Sequence, residues 1–255
     1  VFIFAGGCGA RASTFSSLPE ERVLVVGSRA DVLDAEESYT RLTVNAGSPT
    51  GAHRDHKTAY RQLLGQEPMN RVLEACKRAF EREIAPVVVY GLAGAVGIAV
   101  ARLISEEIPV VVHAMVLPHP KEPESERADD KFRWVLKGSR GRNLVVARTP
   151  REAYDASTLS SIVTDIETLE GELHVDRVNN LAATDNHLLD GRRATLDTIE
   201  ARIRALAERH RAERRAETKS VEVEREELDV REIVSEERER EEEEEERKDS
   251  PWDIF

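Results

Sequence analysis

Residues 91 to 97 read GLAGAVG, set between the apolar run IAPVVVY (residues 84–90) and a second one, IAVARLI (residues 98–104). Three readings compete: a membrane span, a strand-to-helix turn that holds phosphate, or glycine used only for close packing. Residues 84–101 carry no charge, and a bilayer span needs roughly 18 to 20 apolar residues. Pro86 and the glycines at 91, 94 and 97 argue against the span, as do flanks that continue a strand-helix alternation. A strand, a tight turn and a buried helix explain the stretch better. Glycines in such a turn expose backbone N–H groups at a helix N-terminus, where the partial positive charge favours an anion. Close packing of helix on sheet also requires glycine, so this stretch alone leaves two readings open.

A second glycine turn bears on the choice. After VFIFA comes GGCGARA, Gly6 to Ala12, which contains G-x-G-x-x-A, a relaxed dinucleotide-binding fingerprint at a strand-to-helix junction. Two glycine turns that both follow strands of one parallel sheet share an edge of that sheet and can face one ligand. The rest of the chain supports such a sheet. Strands are expected at Val1–Ala5, Arg22–Gly27, Leu42–Ala46, Pro86–Tyr90, Pro109–Leu117 and Asn143–Ala147. Between them, Arg54–Arg82, Ile98–Glu107 and Arg127–Lys137 read as helices, and so does Tyr154–Leu169, ended by Gly171. The expected fold is α/β, a Rossmann-like parallel sheet flanked by helices.

Composition excludes several function classes. The chain has 255 residues, of which 40% are apolar, 5% aromatic and 34% charged, with a net charge of -12. An acidic chain gains no counterion-release drive towards nucleic acid or anionic membranes, so neither is expected as a partner. Abundant Asp and Glu with scarce Lys also matches proteins of a high-salt cytoplasm. The cysteines are Cys8 and Cys76, too few for a disulfide framework or a cysteine metal site. The chain opens on Val1 without Met, basic region or cleavage site, so no secretory signal and a cytoplasmic location are expected. HRDH (residues 53–56) places His53, Asp55 and His56 together, but loop histidines without a further ligand rarely hold metal, and no metal site is assigned. There is no G-x-S-x-G, and neither cysteine has an evident histidine partner.

The order and spacing of these segments resemble the nucleotide-binding domain of the tubulin and FtsZ superfamily, in a divergent and shortened form. The family's first loop, roughly GGAGGN, is matched by Gly6, Gly7 and Gly9, with Ala10 and Arg11 in place of its last two residues. A later loop, roughly LGAGANPE, is met in part by SPTGAHRD, where Gly51, Ala52 and Asp55 stand in register. The signature GGTGTGA corresponds to GLAGAVG, which keeps Gly91 and Gly94 but carries Ala93 and Ala95 where the family has threonines. PVVVHAMVLPHP and NLVVARTP resemble later strands, and YDASTLSSIVTDIETL resembles the long central helix, with Asp155 near the position that reads the base. EGELHVDRVNN resembles the catalytic loop, roughly PGLINLDFADV; Asp176 matches its first aspartate, His174 replaces an asparagine and Asn179 its second aspartate.

The resemblance covers Val1 to Gly191 and implies GTP or GDP as ligand, with Mg2+ beside the phosphates. It assigns nucleotide contacts to Gly6, Gly7, Gly9, Arg11, Gly51, Gly91, Gly94, Gly97 and Asp155, and catalysis to Asp176 acting on the nucleotide of a neighbouring subunit. Self-assembly, or assembly with related subunits, in a cytoskeletal or division role is implied with it. Losing threonine hydroxyls removes about 1 kcal/mol or more per charge-assisted contact, so weaker binding is expected. Losing one catalytic carboxylate implies slow GTP hydrolysis or none. Two alternatives stay open: an interaction module that has lost nucleotide, and an NAD(P)-dependent oxidoreductase, for which Arg29 in VVGSRAD could meet a 2′-phosphate.

The family's C-terminal sheet domain has no counterpart. Three regions are expected: residues 1–191 as the nucleotide-binding domain, 192–216 as a helical extension and 217–255 as a disordered acidic tail ending in SPWDIF, suited to docking on a protein partner. Asn180–Ala216 reads as helix-prone throughout, with Leu196, Ile199, Ile203 and Leu206 as a narrow apolar stripe.

Overall fold

The computed structural model describes residues 1–46, 55–119, 127–152 and 155–218. Gly51, Ala52, His53 and the SPWDIF segment fall outside them. The chain divides into two compact units, Val1–His210 and Arg211–Phe255, and residues 211–218 of the second are helical.

The first unit is a three-layer α/β/α domain. Its sheet has the order β3-β2-β1-β4-β5-β6-β7-β8, formed by β1 (Phe2–Ala5), β2 (Val23–Gly27), β3 (Thr40–Thr43), β4 (Val87–Gly91), β5 (Val110–Val116), β6 (Arg142–Arg148), β7 (His187–Leu189) and β8 (Arg192–Ala194). Pairing is parallel from β3 through β7, and only β8 runs antiparallel. The inner strands are rich in apolar, largely β-branched residues because both faces are covered, the normal condition of a parallel sheet. Successive residues of β1 serve opposite layers. Ile3 and Ala5 enter a core with α3 (His56–Leu63), α4 (Glu67–Glu81), α5 (Val96–Glu107) and α6 (Ala128–Lys137), whereas Phe2 and Phe4 enter a second core with α1 (Gly6–Ser13), α7 (Ala156–Thr168) and α8 (Val175–Ala183). That alternation follows from the period of two in a strand. Each fully buried Phe contributes about 2 to 3 kcal/mol.

Under α5 the first core holds a satisfied polar chain. The Ser105 hydroxyl donates to Ala101 O at 2.8 Å, so it must accept from His113 Nε2, 3.1 Å away. His113 Nδ1 then accepts from the Tyr90 hydroxyl at 3.2 Å. Burial pushes the His113 pKa down to about 4, and the neutral ring leaves Nδ1 as the acceptor for Tyr90.

Four expectations are corrected. The single helix expected over Arg54–Arg82 is two helices, because Gly65 takes φ 75° between them. Gly171 does not cap α7: the helix ends at Leu169 in αR geometry, and Gly171 lies in the short 3-10 turn Glu170–Glu172. Gly6–Ala12 is not an open loop, since β1 ends at Ala5 and α1 starts at Gly6, whose φ of 66° makes the whole turn. Asn180–Ala216 is not helical throughout. It contains the β7–β8 hairpin, closed by Asp190 and Gly191 at φ 52° and 77°, the paired positive angles that an Asp-Gly hairpin turn demands. The helix that follows, α9 (residues 196–210 of this unit), buries Ile199, Ile203 and Leu206 in the first core.

Candidate functional site

The chain runs β1 to β2 to β3 in one direction, then returns to place β4 on the other side of β1. The reversal point lies between the carboxyl ends of β1 and β4, the position where open parallel sheets receive ligands. Gly6 follows one of these strands and Gly91 ends the other. The two glycine segments touch there: a Cβ built on Gly6 would lie 2.8 Å from the Gly97 amide nitrogen. Side chains cap neither α1 nor α5, whose N-cap residues are Ala5 and Ala95. First-turn amides have no intrahelical acceptor, so two positive helix ends adjoin at one spot.

Several of these glycines have a packing reason as well. A Cβ on Gly9 would meet Val89 O at 2.6 Å, one on Gly97 would meet Ala5 O at 2.7 Å, and one on Gly91 would meet Cys8 Cβ at 2.7 Å. Gly94 differs. It is exposed at the tip of the turn, its amide donates to Gly91 O at 3.2 Å, and an added Cβ would make only an ordinary contact at 3.6 Å. The charges beside the first turn are mixed. A Cβ on Gly7 would meet Asp31 Oδ1 at 2.7 Å, and Arg11 Nη1 lies 3.7 Å from Asp34 Oδ2 on the flank of α2 (Arg29–Leu33). Asp31 itself forms a reciprocal cap with Ser28. Its carboxylate therefore stands close to the α1 terminus and offsets part of the positive field there.

Asp155 lies on the same sheet edge, before α7, as that helix's N-cap. Its oxygens accept from Ser157 N, Ser157 Oγ, Thr158 Oγ1 and Arg151 N at 2.7 to 3.3 Å. The hydroxyls of Ser157 and then Thr158 hold its carboxyl well below the usual range. These four bonds account for a carboxylate's acceptor positions.

From there α7, about 20 Å long at 1.5 Å per residue, leads back across the sheet. Its Asp165 receives Arg148 Nε and Nη2 at 2.6 and 2.7 Å, a bidentate tie to the end of β6. At the far edge, Ala85 N donates to Leu173 O and Val175 N to Glu83 O, both at 2.8 Å, strapping the segment before α8 to the residues that lead into β4. Asp176 is exposed in the first turn of α8. It therefore stands at the amino edge of the sheet, a strand's length away from the glycine turns.

One residue near the site escaped the sequence reading. Lys131 on α6 is 2% exposed, and its ammonium donates to Ala93 O in the glycine turn at 2.7 Å. The signal was present: Ala128, Lys131, Phe132 and Val135 are the buried positions of α6, at helical spacing, so a lysine occupies an apolar stripe. Nearby, His56 opens α3 and packs edge-on against Trp134, with ring centroids 4.8 Å apart. Burial, and then the Lys131 charge, push its pKa down.

Among the described residues no group of His, Cys, Asp or Glu could hold a metal ion, and no helix is long and apolar enough to cross a membrane. No protein-family model matches the sequence, and no curated protein matches it significantly.

Strand order, glycine turns at the reversal point and a long helix leading to the opposite edge describe an open, largely parallel α/β sheet. Comparison with solved structures shows a likeness of fold. TubZ from bacteriophage PhiKZ, a monomeric subunit, is similar with a TM-score of 0.54 at 17% identity, over 76% of this chain and 70% of that one. CetZ1 from Haloferax volcanii, as a GDP-bound monomer, gives 0.49 at 20% identity, over 72% and 64%. CetZ from Methanosaeta thermophila gives 0.49 at 17% identity, over 71% and 58%. The chain thus spans less than two thirds of either CetZ chain.

Proposed function

We propose that this chain is a guanine-nucleotide-binding subunit of tubulin/FtsZ type with weak or absent GTPase activity. The observation that carries the reading is the contact of Gly6 with Gly97, which joins two helix N-termini without side-chain caps at the reversal point of a parallel sheet. Phosphates fit there because the amides of both first turns converge. Ala93 and Ala95 supply no hydroxyl to them, and Asp31 opposes their charge, so binding is weak. Asp176 faces away from its own chain's nucleotide and acts on that of a neighbouring copy or a related subunit, with Mg2+ beside the phosphates. The working location is the cytoplasm, and the SPWDIF end docks on a protein partner. Titration with GDP and GTP, together with the dependence of hydrolysis on protein concentration, tests the reading.

A second reading has its own support. Gly9, Gly91 and Gly97 are accounted for by packing, and the Asp155 carboxylate by helix capping. An interaction module that keeps the fold without nucleotide would look the same at those positions. Absence of any guanine-nucleotide binding would select it.

A further inference from the structure

Lys131 is costly where it stands. An ammonium removed from water on the apolar stripe of α6 loses hydration that a methionine of similar volume would never have had, so a lysine there needs good hydrogen-bond partners. Packing gives no reason for a lysine beside Ala128, Phe132 and Val135. The contact it makes does. Its Nζ meets Ala93 O at 2.7 Å, while the amide of the same peptide unit, Gly94 N, donates to Gly91 O at 3.2 Å. The 93–94 peptide is held at both ends, which fixes the direction in which the next amides, at the start of α5, present their N–H groups. The charge of the same ammonium also reaches His56 at the start of α3.

We infer that Lys131 is a positioning residue for the phosphate groups of the bound nucleotide: it clamps the Ala93 carbonyl and so sets the turn. The inference rests on the nucleotide reading above. It also explains how a turn with Ala93 and Ala95 can hold phosphate. The ammonium acts through the backbone rather than by hydroxyl contacts.

The test uses the full chain, with Lys131→Met and Lys131→Arg compared to wild type. Mg-GDP affinity is measured by calorimetry, amide hydrogen exchange over residues 92–97 is followed without nucleotide, and Tm is recorded. Lys131→Met is expected to weaken GDP binding about tenfold or more, the scale of one lost hydrogen bond to a charged group. Exchange at Gly94 to Val96 should quicken, Tm should fall with the stranded Ala93 carbonyl, and Lys131→Arg should recover most of the affinity. If wild type binds GDP and Lys131→Met binds it equally, with unchanged exchange, the inference is overturned and the nucleotide reading stands. If wild type binds no GDP, both fall.

Discussion

The Gly6 and Gly97 backbones are in contact, so closely that a Cβ on Gly6 would fall 2.8 Å from the Gly97 nitrogen. Close packing and ligand binding both ask for glycine at this spot, and the two demands separate at Gly94. Gly97→Ala pushes a methyl to 2.7 Å from Ala5 O and 2.9 Å from Tyr90 Cβ, and overpacking of this kind costs about 1 to 3 kcal/mol. A Cβ at exposed Gly94 meets only Gly91 O at an ordinary distance, so Gly94→Ala should change stability by no more than about 0.5 kcal/mol, and Gly94→Val by little more. Urea denaturation of these variants checks the contrast. Equal losses would mean that Gly94 also serves packing.

Asp155 is a cap, and its replacement should show this first. Asp155→Ala should cost about 1 to 2 kcal/mol of stability, and Asp155→Asn, which keeps one accepting oxygen for Ser157 but turns the other into a donor facing Arg151 N, should cost less. Comparing GTP with xanthosine triphosphate on the stable Asn variant then isolates base reading. A preference identical to wild type assigns Asp155 to structure alone; a changed preference adds a ligand role.

Asp176 should affect hydrolysis without affecting binding. It is exposed at the edge of the sheet opposite the glycine turns, so Asp176→Ala should leave GDP affinity and Tm unchanged and abolish whatever GTP hydrolysis wild type shows. Specific activity in wild type should rise with protein concentration. A rate independent of concentration would contradict action between subunits.

The buried His113 predicts an acid sensitivity with a definite sign. Its pKa is about 4 in the fold against 6.5 for an unperturbed histidine, so between these values the unfolded chain binds more protons than the folded one. Stability is full above pH 6.5 and declines as pH falls towards 4, by up to about 3 kcal/mol from this group. Burial lowers His56 and His187 as well, which adds loss in the same direction. Urea midpoints at about pH 7.5 and pH 5 measure the loss, and imidazole NMR identifies His113 as a ring that stays neutral at the lower pH. A His113 signal titrating near 6.5 would contradict the hydrogen-bonded chain through Tyr90 and Ser105.

The central strands were readable because β1, β2 and β4 are apolar runs buried on both faces, and β5 and β6 carry apolar stretches, Val110–Val112 and Leu144–Ala147. The β7–β8 hairpin was missed because its strands have three residues each, one of them carrying Arg192 and Arg193. Asp190-Gly191 was its one sequence signal, hidden in an Arg-rich, helix-prone setting. In the site, glycine positions were legible but their causes were not: whether Gly9 faces a ligand or Val89 O depends on how α1 docks on β4. Lys131 was legible as a charged residue at an apolar helical position, and its partner Ala93, 38 residues away, was not.

The central claim is tested most directly by calorimetric titration of the full chain with GDP, with NAD and NADP as controls. Saturable binding of GDP at one site per chain is expected, lost in Gly94→Val, with no heat from either dinucleotide. No heat with GDP at millimolar concentration, or saturable binding of NADP in its place, would contradict the claim.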